Sequence, residues 1–296
     1  MKDTSRRRFL GDTMRICAAA AALRAAEGIA GAGPADSPQP QMMPTIHLGK
    51  LEVSRLFLGS NPFFGFNHGN PQASSDEMRK YYTEERIAAA LDTAADNGIT
   101  AVWTPCYDHW IRLWNKYREK GGKLKIWIGQ PDNFDQMKEN ITACAKNGGK
   151  AVCIQGECAG RAIREGKLEL VKGWLEHVKS LGLPAGLASH RPEELLKAED
   201  QGLPAEFYHL TVGVPDRFQQ VERDKALETI RKLDKPVVAF KVLGAGRFMP
   251  ADAFPYVLKS VRRKDGICFG AFPQKRDEIA ENAALAIRLT AKERNG

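Results

Sequence analysis

The chain has 296 residues, 43% of them hydrophobic and 27% charged, which is ample for one large globular domain. Its formal charge of +8 falls to +5 once residues 1–32 are set aside, because that stretch holds six Lys/Arg against three acids. The basic residues that remain are interspersed with acidic ones and form no stripe with interleaved aromatics, so composition speaks against nucleic acid, and no apolar run reaches the roughly 20 residues of a membrane span.

The amino terminus reads as an address. Ser5-Arg6-Arg7-Arg8-Phe9-Leu10 resembles a twin-arginine export signal, an Ala-rich stretch follows over 16–23, and Ala30-Gly31-Ala32 offers a small-residue cleavage site. The expectation is a signal peptide over 1–32, handled by the twin-arginine machinery and directing the chain to the periplasm, and then a Pro/Ser/Gln-rich linker over 33–43. Residues 44–296 are expected to form a single domain. Of the six cysteines, Cys17 falls in the signal, which leaves an odd number that cannot all pair within one chain. Cys153 and Cys268 lie in apolar runs, as buried thiols do.

After the linker, residues 45–53 read as a hairpin turning at Gly49-Lys50. Short β-rich runs then follow at 55–59, 99–104, 125–129, 151–155, 185–188, 207–212, 237–242 and 266–270. Helical periodicity appears at 84–97, 109–120, 134–147, 168–181, 192–199, 225–233, 251–261 and 276–292, with Thr83 placed to cap the first of these. Strand-then-helix alternation of this kind predicts an α/β fold, a (β/α)8 TIM barrel preceded by the hairpin. An open, doubly wound sheet is the runner-up, but no Gly-x-Gly-x-x-Gly follows the first strand.

A barrel builds its site just beyond the carboxyl ends of its strands. Those positions carry Ser60 and Asn61, then Tyr107, Asp108 and His109, then Gln130, Gln155 and Glu157, Ser189 and His190, with His209 and Lys241 within later strands. The predicted catalytic set is Tyr107, Asp108, His109, Glu157, His190, His209 and Lys241. His209 and Thr211 share one strand face, the inward one, while an ammonium group on a strand, as at Lys241, requires a carboxylate, a ligand or water. Glu157 is its natural partner. The long segment after the first strand, with Asn61, Phe63, Phe64, Phe66 and His68, reads as a substrate wall or lid.

The order of these pieces resembles the aldo-keto reductases over nearly all of the chain after the linker. The resemblance rests on the hairpin, on Leu51-Glu-Val-Ser-Arg-Leu-Phe-Leu-Gly-Ser60, Asn97-Gly-Ile-Thr-Ala101, Ala188-Ser-His190, Val238-Ala-Phe-Lys-Val-Leu-Gly-Ala-Gly246 and Glu278-Ile-Ala-Glu-Asn282. It implies a barrel of the NADP-dependent oxidoreductase superfamily that reduces carbonyls with an Asp, a Tyr, a Lys and a His. Carried onto this chain, the Asp falls on Trp103, the Tyr near Tyr107, the Lys near Gln130 and the His on Gly156 or Glu157, a degenerate tetrad. Glu281 and Asn282 match the family's adenine contacts, and Lys275 and Arg276 are the phosphate partners that the resemblance implies.

Three readings follow. In the first, an exported barrel acts on a small carbonyl or sugar-type substrate by non-redox chemistry. There, Glu157, His190 and His209 ligate a divalent metal (Zn or Mn) while Lys241 stabilises an oxyanion, or the same groups transfer protons, or Lys241 forms a Schiff base. In the second, NADP is retained and Tyr107 or His109 gives the proton. The third is a ligand-binding barrel without catalysis.

Overall fold

Strand and helix alternate because apolar residues recur with two different periods. In residues 84–96, Ile87, Ala90, Leu91 and Ala94 fall on one helical face and are buried. Each large member of such a stripe contributes about 1.5–3 kcal/mol when removed from water. Thr83 accepts the Arg86 N–H to start this helix, and Gly98, at φ 79°, ends it, with the Ile99 N–H returning to the Ala94 carbonyl. In the strands the period is two. Tyr208 and Leu210 pack outward against the helices, whereas Phe207 and His209 point into the barrel beside Phe57.

The computed structural model describes residues 42–213 and 222–292. The signal expected over 1–32, and all of the linker except Met42 and Met43, lie outside the described residues. In chain order the elements are β1 (Thr45–Leu48), β2 (Leu51–Ser54), β3 (Leu56–Gly59), α1 (Ser75–Tyr81), α2 (Glu84–Asp96), β4 (Ala101–Pro105), α3 (Asp108–Glu119), β5 (Ile126–Gln130) and α4 (Met137–Lys146). They continue as β6 (Ala151–Ile154), α5 (Gly156–Arg164), α6 (Leu168–Ser180), β7 (Ala185–Ser189), α7 (Pro192–Asp200), β8 (Phe207–Thr211), α8 (Arg223–Lys232), β9 (Val237–Phe240), α9 (Pro250–Leu258), β10 (Gly266–Gly270) and α10 (Glu278–Lys292).

Strands β3 to β10 pair in parallel and close on themselves, with β10 returning to β3 through Ile267 opposite Leu56. The eight-stranded parallel barrel is therefore as the sequence predicts. The hairpin β1–β2 turns at Gly49, φ 57°, and its Ile46, Leu48 and Val53 join Phe57, Ala101, Ile128 and Phe207 in one apolar cluster. The hairpin thus stoppers the amino-terminal end of the barrel. At the same end, buried Asp265 accepts from the Arg262 guanidinium and from the Val237 N–H at 2.9 Å, tying the start of β9 to that of β10.

Two helices lie where the sequence reading placed none. Helix α1 carries a capping box, with Ser74 and Glu77 bonding each other's backbone N–H, and α5 begins at a glycine with another at Gly160, which hides its helical pattern. Strand β9 also stops short of the expected residue 242. Lys241 takes a left-handed backbone at φ 57°, so the chain leaves the barrel wall one residue after Phe240.

Candidate active site

A cavity of about 530 Å³ opens at the carboxyl ends of the strands. Its floor is Trp103 and Phe240, whose ring centroids lie 5.1 Å apart. Its walls carry Tyr107, Asp132, Gln130 and Gln155, and with them Glu157, His190 and Lys241. From there the cavity runs on beneath residues 241–250 to Lys275, Arg276, Glu278 and Asn282 at the start of α10.

The Tyr107 hydroxyl donates to Asp132 Oδ2 at 2.9 Å. Asn140 of α4 holds the two loops in register, since its Oδ1 accepts the Asp132 N–H at 3.0 Å and its Nδ2 donates to the carbonyl of Cys106, the residue before Tyr107, at 3.2 Å. Burial pushes the Asp132 carboxyl above the usual carboxylate range, and the Tyr107 bond only partly offsets this. Burial, and then the neighbouring Asp132, push Tyr107 upward as well. Asp132 was not among the residues singled out in the sequence. It follows Gln130-Pro131 in a loop, and only its place just past a strand end marked it.

The part of the wall that carries His190 and Glu157 is built around a buried carboxylate. Glu194 of α7 is 3% exposed, accepts from Ser189 Oγ at 2.6 Å and pairs with Arg164, which also reaches Glu157 at 3.5 Å. Ser189 Oγ in turn accepts the Arg191 N–H at 2.8 Å, so both neighbours of His190 are fixed. The ring of His190 lies over the first turn of α5, where a Cβ on Gly156 would come within 3.2 Å of it. Gly160 leaves the room that Glu194 occupies, since a Cβ there would lie 2.3 Å from Glu194 Oε2.

Residues 61–74 and 241–249 meet above the cavity. The Arg247 guanidinium donates to the carbonyls of Gly69 and Gly244, each at 2.9 Å, and Gln72 Nε2 donates to the Gly246 carbonyl at 2.7 Å. His68 Nε2 lies 3.0 Å from Asn61 Nδ2. The long segment expected as a wall or lid does line the cavity, through Asn61, Phe66 and His68.

Tyr107, Glu157, His190 and Lys241 of the expected catalytic set come together at this cavity, and the other three do not. Asp108 and His109 begin α3, and successive residues of a helix diverge by about 100°, so both point to solvent while Tyr107 turns inward. His109 instead packs its ring on Phe64 and Tyr107. His209 lies below the floor at 0% exposure, with its ring 4.2 Å from that of Trp103. Neither ring nitrogen has a partner, and burial pushes its pKa down to about 3.

The metal site expected from Glu157, His190 and His209 is accordingly not formed. Trp103 separates His209 from the cavity, and no cluster of three or more His, Cys, Asp or Glu among the described residues is placed to hold a metal ion. Of the expected cofactor contacts, Lys275, Arg276 and Asn282 line the far arm, whereas Glu281 stands beside it and pairs with Arg276 at 3.4 Å. Asn282 is 4% exposed and lines the cavity, and its carboxamide has no hydrogen-bond partner among the described residues. A carboxamide so placed can both donate to and accept from a ligand. Together with the apolar floor, this donor set fits a nicotinamide dinucleotide lying along the cavity.

No protein-family model matches this sequence, and no curated protein matches it. Solved structures do. One is a Pseudomonas aeruginosa protein assigned to the aldo-keto reductases, 17% identical with a TM-score of 0.58, matched over 86% of this chain and 99% of that one. A second is the aldo-keto reductase AKR11C1 from Bacillus halodurans in its holo form, at 17% identity and TM-score 0.58, over 86% and 94%. A third is the glycerol dehydrogenase AKR11B4 from Gluconobacter oxydans, at 13% and 0.52, over 82% and 94%. The likeness lies in the fold: a closed parallel barrel like that of the aldo-keto reductases.

Proposed function

We propose that this chain is a carbonyl oxidoreductase that reduces a small carbonyl compound at the barrel mouth with a nicotinamide dinucleotide held in the far arm. The observation that carries this reading is the continuity of one cavity from the Tyr107–Asp132 pair to the orphan carboxamide of Asn282. The dinucleotide, when bound, supplies hydride to the carbonyl carbon. With substrate bound, the Tyr107 hydroxyl would turn the proton that it donates to Asp132 in the free protein toward the carbonyl oxygen as negative charge develops there, and Asp132 in its neutral form would then donate to the tyrosine oxygen in its place. The pair is thereby left as tyrosine and carboxylate, never as phenolate beside carboxylate. Trp103 and Phe240 keep water from beneath the reacting carbon, and Gln130 and Gln155 orient the substrate's polar groups.

The relay needs Asp132 protonated, and its carboxyl is raised by burial. Reduction is therefore fastest below that raised value and declines as the pH climbs through it. Tyr107→Phe should lower kcat/KM for a small aldehyde by about 10²–10⁴, and Asp132→Asn by about 10² with loss of the alkaline decline. Tyr107→Phe turning over at the wild-type rate would contradict the assignment.

A second reading keeps Lys241 as a Schiff-base former, because it shares the cavity with Glu157 and His190. Borohydride trapping of a small sugar on the wild type, absent in Lys241→Ala, would favour it.

A further inference from the structure

The far arm of the cavity holds two cations, Lys275 and Arg276. Read alone, they suit a phosphate, but each already faces carboxylates. Arg276 lies 3.4 Å from Glu281 and 3.9 Å from Glu278, and Lys275 sits in the field of Glu77. Asp277 adds a fourth carboxylate. Lys80 also lies in the field of Glu77, so Glu77, Asp277, Glu278 and Glu281 stand against Lys80, Lys275 and Arg276, a formal excess of one negative charge at the end of the arm.

The amino terminus of α10 does not reverse this sign. A helix start ordinarily attracts anions through its free N–H groups. Here, Asp277 Oδ1 accepts the Ala280 N–H at 3.0 Å, the Glu281 N–H goes to the Asp277 carbonyl, and Glu278 Oε2 takes the Phe272 N–H at 2.7 Å. The Asp277 carboxylate thus caps the helix start, and Glu278 is engaged with the loop that precedes it. What the arm offers is Asn282, whose carboxamide has a donor and an acceptor both unused by the described residues.

From this balance we infer that the far arm reads an uncharged, hydrogen-bonding group such as a ribose or a purine edge, and that the enzyme uses NAD(H) in preference to NADP(H), with Glu281 and Glu278 as the residues that set the choice. The inference rests on the nicotinamide reading above. An added phosphate monoester brings a charge of about −1.5 to −2. That charge meets carboxylates at the arm's end before it meets a free cation, whereas the hydroxyl of NAD(H) meets none of this repulsion. Glu281, half exposed, is the member of the set that can be altered without disturbing the fold.

Isothermal titration of the full chain with NADH and with NADPH tests this without turnover, and adenosine 5′-monophosphate against adenosine 2′,5′-bisphosphate isolates the arm. The wild type should bind NADH, and the monophosphate, about fivefold or more tightly than the phosphorylated counterpart. Glu281→Gln, by freeing Arg276, should tighten NADPH by about two- to fivefold and leave NADH within about twofold. Asn282→Ala should weaken NADH and the monophosphate alike. Tighter binding of NADPH than of NADH by the wild type overturns the inference and leaves the nicotinamide reading standing. Failure of both dinucleotides to bind removes both.

Discussion

His209 sits in a dry interior among Phe57, Trp103 and Phe207, with neither ring nitrogen bonded, so it stays neutral in the fold. Its pKa is pushed down to about 3 from an ordinary value near 6.5. Between those two values the unfolded chain binds a proton that the folded chain refuses. Stability is therefore full above about pH 6.5 and is lost as the pH falls toward 3, by an amount on the order of 5 kcal/mol from this one ring. His209→Phe removes the titrating group and the two unbonded nitrogens. Its urea midpoint should change little at neutral pH and exceed that of the wild type at pH values near 4; equal acid sensitivity in the two proteins would contradict the account. The sequence showed where His209 points but not that Trp103 covers it, because the covering residue comes from β4, far along the chain. Tyr107 was legible from its position past a strand, and so were Asp108 and His109, which face away. Position after a strand does not say which way the next helix turns its side chains.

At the level of elements, the strand and helix periods were legible almost throughout, and the departures occur where backbone conformation overrides pattern. Residues 237–242 read as one apolar run, yet β9 ends at Phe240 and Lys241 adopts a left-handed backbone. That conformation is costly for any residue but glycine, by roughly 1–2 kcal/mol. Lys241→Gly should therefore be more stable than Lys241→Ala by about 1 kcal/mol in denaturant titration, a difference that no side-chain contact explains, since both variants lose the ammonium group. Equal stability of the two variants would show the turn to be unstrained. Helix α5 went unread because Gly156 and Gly160 argue against a helix; both are small for the reason given by their neighbours, His190 and Glu194. The fit of a side chain from one unit against the backbone of another leaves no mark in either segment alone.

For the molecule as a whole, eight repeats of strand and helix left one economical closure, and the barrel follows from that count together with the hairpin that stoppers its base. What the count does not contain is which polar residues share the mouth. The metal reading joined Glu157, His190 and His209 by chain order, and the barrel sets His209 apart from the other two by the thickness of its floor. The same closure brings β4, β5 and the start of α10 to the rim of one cavity, which is the arrangement on which the proposed delivery of hydride and proton to a single carbonyl depends. The most direct test is isotopic. Wild-type protein is incubated with a small aldehyde and a dinucleotide carrying deuterium at its transferable position, and the product alcohol is analysed by mass spectrometry. The account predicts deuterium on the former carbonyl carbon, at a rate that Tyr107→Phe reduces about 10² or more. An aldehyde consumed without any deuterium reaching that carbon would contradict it.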